Sequence, residues 1–280
     1  MSHQALQRVT VRMRFDPAFA NRVYDAPAAA LAGVNVTDDE RGWLLAVDRR
    51  AWRTDPLLRA RTLRTLFGEF KGASTLALAI LRRVAILDGF FSSMAFHGAI
   101  QQRGSLATAY AAYLRSLHLG SAHLDAVLSL EEALAACRRE LEHPPARLAP
   151  VKRDPCVARA AGVGAVSLPS GTLETLNQIE SYLFEASLMP ALALCTDAPG
   201  LGPLPPLDPE NPTRLILQPE AGGSGIRSLG RTVQQVLTEL SSPTPLRHVI
   251  TDLAGRGLGR SKAAQLIADL DREGLVIRIP

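Results

Sequence analysis

Two proline-rich stretches limit what this chain can fold into: "EHPPARLAPVKRDP" (Glu142–Pro155) and "DAPGLGPLPPLDPENPT" (Asp197–Thr213). Proline fixes φ and removes a backbone donor, so neither stretch can run through a helix interior or a central strand. They predict a boundary near residue 150 and a long surface loop over 197–213, and hence two domains, 1–150 and 151–280. The 280 residues suffice for two cores of ordinary size.

Before the first break the texture is helical. In "VTDDERGWLLAVDRRAW" Thr37 is an N-cap, and Asp38, Asp39 and Glu40 fill the first turn, where negative charge suits the helix dipole. "DPLLRARTLRTLFGEF" offers Asp55 as a cap and Pro56 at the first helical position, with Leu58, Leu63, Leu66, Phe67 and Phe70 roughly on one face. "STLALAILRRVAIL" opens on Ser74 as a cap. "DGFFSSMAFHGAI" and "SLATAYAAYLRSL" are split at Arg103-Gly104, and "AHLDAVLSLEEALAACRRELE" is the last helix. About six helices and no convincing strand predict an all-α bundle.

After the break "GVGAVSLPSG" (162–171) is β-like, and "TLETLNQIESYLFEASL" is helical. "TRLILQPEAGGSGIRSL" reads as strand, glycine-rich turn and strand, with Leu215 and Leu217 facing one way and Ile216 the other. Three short helices and the strand "LVIRIP" follow. The fold class is therefore α+β: an N-terminal helical bundle, then a winged-helix-like domain of a β-hairpin plus three helices.

Most catalytic chemistry finds no footing. Cys137, Cys156 and Cys195 are odd in number and widely spaced, which fits a reducing compartment and not a disulfide framework or a zinc site. His3, His97, His118, His123, His143 and His248 are scattered without ligand spacing, and there is no nucleophile elbow. No metal, cofactor or catalytic residue is assigned. No signal-like N-terminus and no run of 18 apolar residues occurs, so a cytoplasmic protein with no membrane partner is expected. Aromatics are 5% of residues, which leaves few stacking platforms for single-stranded nucleic acid. The net charge of +4 allows an acidic partner without demanding one. Ten basic residues between Arg41 and Arg83 face only Asp48, Asp55 and Glu69. Such a bias suits an acidic peptide, nucleic acid or an acidic protein face, and equally a solvated surface.

"LAGRGLGRSKAAQLI" (Leu253–Ile267) fails as a phosphate loop, because Ser261 precedes Lys262 and a helix, not a buried strand, comes before it. As a DNA reader it has helix–turn–helix spacing, with Arg256, Arg260 and Lys262 at the start of the second helix. Against that, the helix turns acidic at Asp269, Asp271 and Glu273, and a single strand after it leaves no hairpin for a wing. The plainest reading makes Gly255, Gly257 and Gly259 a C-cap and turn, and Ser261 an N-cap. Ala263, Ala264, Leu266, Ile267 and Leu270 then form the buried face, and Leu275 and Ile277 share a face of the last strand.

Two resemblances join these readings. "TRLILQPEAGGSGIRSLGRTVQQVLTEL" with "TPLRHVITDLAGRGLGRSKAAQLIADLDREGLV" resembles the PqqD-like recognition elements of ribosomal peptide natural-product pathways. "VTDDERGWLLAVDRRAWRTDPLLRARTLRTLFGEF" and "GFFSSMAFHGAIQQRGSLATAYAAYL" resemble the helical part of partner proteins, MbnC-like in role, of multinuclear non-haem iron-dependent oxidative enzymes. The resemblance implies a non-catalytic subunit that binds the leader of a precursor peptide and docks on the iron enzyme as a heterodimer, the helical bundle making the dock. The leader would add as a strand along Gly225, Ile226, Arg227, Ser228 and Leu229, beside a helix face carrying Lys262, Gln265, Leu266 and Asp269. A winged-helix DNA-binding regulator is the alternative, with nucleic acid the less expected partner.

Overall fold

The computed structural model describes residues 3–53, 57–83, 85–143, 155–187, 200–220 and 223–279. The fold is α+β, with a helical N-terminal part and, among the described residues, two three-stranded sheets. Two compact units divide the chain, and each is discontinuous: Met1–Leu128 with Glu174–Pro205, and Ser129–Leu173 with Pro206–Pro280. The divisions therefore fall inside two helices and one loop, not at the proline connector near residue 150.

The first unit opens with α1 (His3–Phe15), α2 (Pro17–Asp25) and α3 (Pro27–Ala30). Asp16 caps α2 through the Phe19 N–H, and Pro17 occupies the first helical position. Next is α4 (Asp38–Ala46), whose expected cap is present as a reciprocal box: Glu40 N–H donates to Thr37, and Thr37 N–H donates to the Glu40 carboxylate. A 3₁₀ turn, Arg49–Arg53, follows it. Ala5, Val9, Met13, Phe19, Val23, Leu31, Val36 and Leu44 close one core over these helices.

The rest of the unit holds α5 (Leu58–Glu69), α6 (Lys71–Leu81), α7 (Ala85–Asp88), a 3₁₀ turn at Gly89–Ser92, α8 (Met94–Gln102), α9 (Leu106–Ser116) and the first part of α10 (Ala122–Glu142). The Asp55–Pro56 start falls outside the described residues; α5 begins at Leu58. Ser74 is not a cap but lies inside α6, fully buried, with Oγ 3.0 Å from the Tyr110 hydroxyl. The helix stops at Leu81, where Arg82 turns left-handed. Ser93 and Ser105 cap α8 and α9. Phe90, Phe91, Phe96 and Tyr110 are wholly buried and meet mostly edge to face, with centroids 5.2–5.6 Å apart. Each such ring contributes about 2–3 kcal/mol by burial alone.

The second unit holds β1 (Cys156–Arg159), β2 (Gly164–Ser170), the first residues of α11 (Thr172–Ser187), β3 (Asp208–Glu220), β4 (Gly223–Ser228), α12 (Arg231–Glu239), β5 (Thr244–Pro245), α13 (Leu246–Leu253), α14 (Arg260–Arg272) and β6 (Val276–Ile279). One sheet runs β2-β3-β4 and the other β5-β1-β6, every pair antiparallel. Two expectations change here. The hairpin is a three-stranded sheet whose third member, β2, comes from upstream, and β3 reaches back through Asp208–Thr213, the end of the stretch read as loop. The last strand is not alone: β6 pairs with β1, from Cys156↔Ile279 to Arg159↔Val276.

Ile216 faces the helices, in a core with Val236, Leu237, Leu240, Val249, Leu253, Ala263, Ile267 and Leu270. On the opposite face of the sheet Leu217 stands by Gly164, where an added Cβ would lie 2.5 Å from Cys137 Sγ of α10. The alternation read from Leu215, Ile216 and Leu217 is thus the one observed, with both faces of β3 covered. Burial pushes the Cys137 thiol up to about 11, an inert packing cysteine.

Candidate functional site

The ladder dictates which backbone groups of β4 are free. Leu229 N–H donates to the Arg214 carbonyl at 3.0 Å, which fixes 229 and 214 as a hydrogen-bonded position of the ladder. Antiparallel pairs alternate. Arg227↔Ile216 and Gly225↔Gln218 are therefore bonded pairs, and Ile226↔Leu217 and Ser228↔Leu215 are not. The N–H and C=O of Ile226 and Ser228 point away from β3, to the outer edge of the sheet. The same parity places Pro169 of β2 with its nitrogen on the opposite outer edge, where proline supplies no donor, and β2 is further broken by a register shift between Leu168 and Ser170. The β4 edge offers the outward groups of Ile226 and Ser228; by the same parity the β2 edge offers those of Ala165 and Ser167, up to Pro169 and the register shift.

Side chains along β4 alternate accordingly. Arg227 is exposed and its guanidinium donates to Gln218 Oε1 at 2.9 Å. Ile226 and Gly225 are half-buried, and Ser228 is exposed. Leu229 departs from the expected open edge: its N–H is spent on Arg214, and its side chain packs on the core.

On α14, Lys262 and Gln265 are exposed as expected, and Asp269 is half-buried. Asp269 Oδ1 accepts from Gln265 and from Arg272, each at 2.9 Å, so its charge is largely occupied. Leu266 turns the other way and packs on the core. The structure thus joins the two halves of the expected site through Leu229 and Leu266, which border one core. It does not bring β4 and α14 into direct partnership: β4 packs chiefly on β3, and α14 on α13, the preceding turn and β6.

The glycine-rich joint is more irregular than a simple C-cap. Ala254–Leu258 forms a π-helical turn in which Gly257 has φ 93°, and Gly259 (φ 74°) leads into α14. Ser261 is therefore the second residue of α14, not its cap, and Ala264 is exposed, not buried. Leu275 is buried while Ile277 is exposed. Arg256 is engaged by Glu239 at 2.7 Å, leaving Arg260 and Lys262 as the exposed cations at the start of α14.

In the first unit the basic run is partly neutralised: Arg41 pairs with Asp38, Arg49 with Asp25 and Arg59 with Asp88. A polar cluster the sequence reading passed over lies at the α1–α2 corner. Burial pushes Asp16 upward, but the Ser92 hydroxyl, the Phe19 N–H, Arg12 and Arg22 outweigh it and hold the carboxyl below its usual range. His97 is 4% exposed, and neither ring nitrogen has a hydrogen-bond partner. Burial, with Arg12 and Arg8 nearby, lowers it to about 4. The signal that marks this corner in the sequence is Asp16-Pro17, an N-cap followed by proline.

Among the described residues no group of three His, Cys, Asp or Glu is placed to hold a metal, and no helix is long and apolar enough to cross a membrane. Compared with known family models, curated proteins and solved structures, the chain matches none.

Proposed function

We propose that this protein is a non-catalytic subunit that binds the leader of a ribosomally made precursor peptide and presents it to an iron-dependent peptide-modifying oxidative enzyme. The observation that carries the reading is the β4 edge: a three-stranded antiparallel sheet backed by three helices, with the N–H and C=O of Ile226 and Ser228 directed outward. A peptide strand laid there gains main-chain hydrogen bonds, and its alternate side chains meet Arg227 on the helix side and Ile226 on the other. The N-terminal phrases that resemble iron-enzyme partners supply the second half of the role, docking through the helical unit in a cytoplasmic heterodimer.

The test is co-purification with the iron enzyme, followed by anisotropy titration of a labelled leader. Ile226→Pro removes an outward N–H without touching the β3 ladder. It is expected to weaken leader binding about tenfold and to leave enzyme docking intact. Equal loss of both functions, or unchanged leader binding, would remove β4 as the site.

A DNA-binding reading gains support from one observation. The order α12, β5, α13, α14, β6, with β1 completing the sheet β5-β1-β6, is compatible with a winged-helix-like arrangement in which one strand comes from upstream. The last strand therefore has a partner, though the pair is not a hairpin following α14. The acidic second half of α14 and the engagement of Arg256 by Glu239 weigh the other way. Steeply salt-dependent binding of a duplex, abolished by Arg260→Gln with Lys262→Gln, would favour this alternative.

A further inference from the structure

The corner between α1 and α2 holds a feature that the peptide edge does not use. A cavity of about 270 Å³ is lined by Arg12, Phe19, Arg22, Ala26, Ala29 and Ala30. The buried Phe19 ring is part of its lining. The Arg12 guanidinium carbon sits 4.0 Å from the ring centroid and that of Arg22 5.9 Å. Two cations thus lie near one ring and line one cavity, each attracted by the ring quadrupole.

Their nearest carboxylate does not satisfy them. Asp16 lies 3.8 Å from Arg12 Nε, beyond hydrogen-bond range, and both its oxygens are spent, one on Phe19 N–H at 2.9 Å and one on Ser92 Oγ at 2.7 Å. Arg12 Nε is buried with no hydrogen-bond partner. Among the described residues the Arg22 side chain makes no hydrogen bond or ion pair. A buried guanidinium N–H without a partner calls for an acceptor, and the rest of the Arg12 side chain is about one-third exposed. The remaining lining is three alanines, Ala26, Ala29 and Ala30, which leave room for a short aliphatic stem but offer no charge of their own.

We propose that Arg12 and Arg22, held over Phe19, form a carboxylate-binding pocket that takes an acidic side chain from a peptide segment of a partner. The forked guanidinium matches a planar carboxylate with two parallel hydrogen bonds, and the alanine wall accommodates the methylenes of a glutamate. The pocket stands apart from the β4 reading and does not depend on it.

The probes are a blocked hexaglutamate peptide, its hexaglutamine counterpart, free glutarate and inorganic phosphate, titrated calorimetrically into the full chain at low salt. Hexaglutamate is expected to bind and hexaglutamine not to. Arg22→Gln should weaken hexaglutamate at least about tenfold, the loss of a charge-assisted pair. Ala29→Leu, on an exposed residue, fills the cavity without altering charge and should do the same. Arg14→Gln, exposed and outside the pocket, should change affinity less than about twofold, as expected for surface charge alone. Arg12→Gln is read only if circular dichroism shows a native fold; Arg22→Gln and Ala29→Leu decide the matter without it. Equal weakening by Arg14→Gln, or wild-type affinity in Ala29→Leu, would overturn the pocket. Glutarate or phosphate binding as tightly as the peptide would overturn the peptide as its source. Ile226→Pro should leave hexaglutamate affinity unchanged, so failure here and failure of the β4 reading are separable.

Discussion

His97 is surrounded by α1 and α8 with neither nitrogen bonded, so folding stabilises its neutral form at the expense of its charged one. The folded value, about 4, lies below the ordinary histidine value of 6.5. Between those values the unfolded chain binds more protons than the folded one, so stability rises with pH across that window and falls as pH drops from 6.5 toward 4. The full loss is on the order of 3 kcal/mol. Replacing His97 by Leu should flatten this slope by about one proton while leaving stability near pH 7 unchanged or slightly raised; urea denaturation at pH 7 and pH 4.5 measures both. A steeper slope in the variant would mean that the imidazole is stabilised as a cation after all. Ser74 shows why residue type alone misleads. Serine before an apolar run is a cap by every local rule, yet its partner is the Tyr110 hydroxyl, thirty-six residues away. Ser74→Ala should cost about 1–3 kcal/mol in chemical denaturation, the price of leaving buried hydroxyl chemistry incomplete.

At the scale of elements, local chemistry was readable and pairing was not. Thr37 to Glu40 is a complete capping box written in four residues, and α10 and α12–α14 follow their apolar periodicity. The first three helices carry weak signals apart from Asp16-Pro17, which announces one of them, so the Arg12–Arg22 corner is hard to see in the sequence. The edge residues Gly225–Ser228 were placed on a strand correctly, but which of them faces outward depends on register, which a strand cannot state by itself. Nor could periodicity reveal that α10 covers the second face of that sheet. Gly164 makes this contact testable. An alanine there would place its Cβ 2.5 Å from Cys137 Sγ and 3.5 Å from Leu217 Cβ. Gly164→Ala should destabilise by about 1–3 kcal/mol, and Cys137→Ala in the same chain should recover part of it. Strict additivity of the two in thermal unfolding would show that α10 and β2 do not meet there. Gly171 has no such remedy. At φ 90° its added Cβ would collide with the Pro206 carbonyl, which is backbone and cannot be trimmed, so Gly171→Ala should cost more than Gly164→Ala.

For the whole molecule the chain is woven, with each unit built from two separated segments. A fragment of residues 151–280, cut where the proline connector suggests, lacks the part of α10 that carries Cys137. It should leave Leu215 and Leu217 uncovered, bind a hydrophobic dye and lose near-ultraviolet dichroism, whereas the full chain should not. A well-packed fragment would mean that the sheet tolerates one bare face.

The pairing of β1 with β6 joins Cys156 to Ile279 and Arg159 to Val276. On a ribosome working at about 5–20 residues per second, β1 is made on the order of ten seconds before its partner exists. Through that interval Val157, which ends wholly buried, waits with an unmatched edge. Translation that stalls anywhere in between releases a nascent chain flagged by that strand, and a chaperone or protease that reads exposed β edges could sort finished molecules from abandoned ones by it.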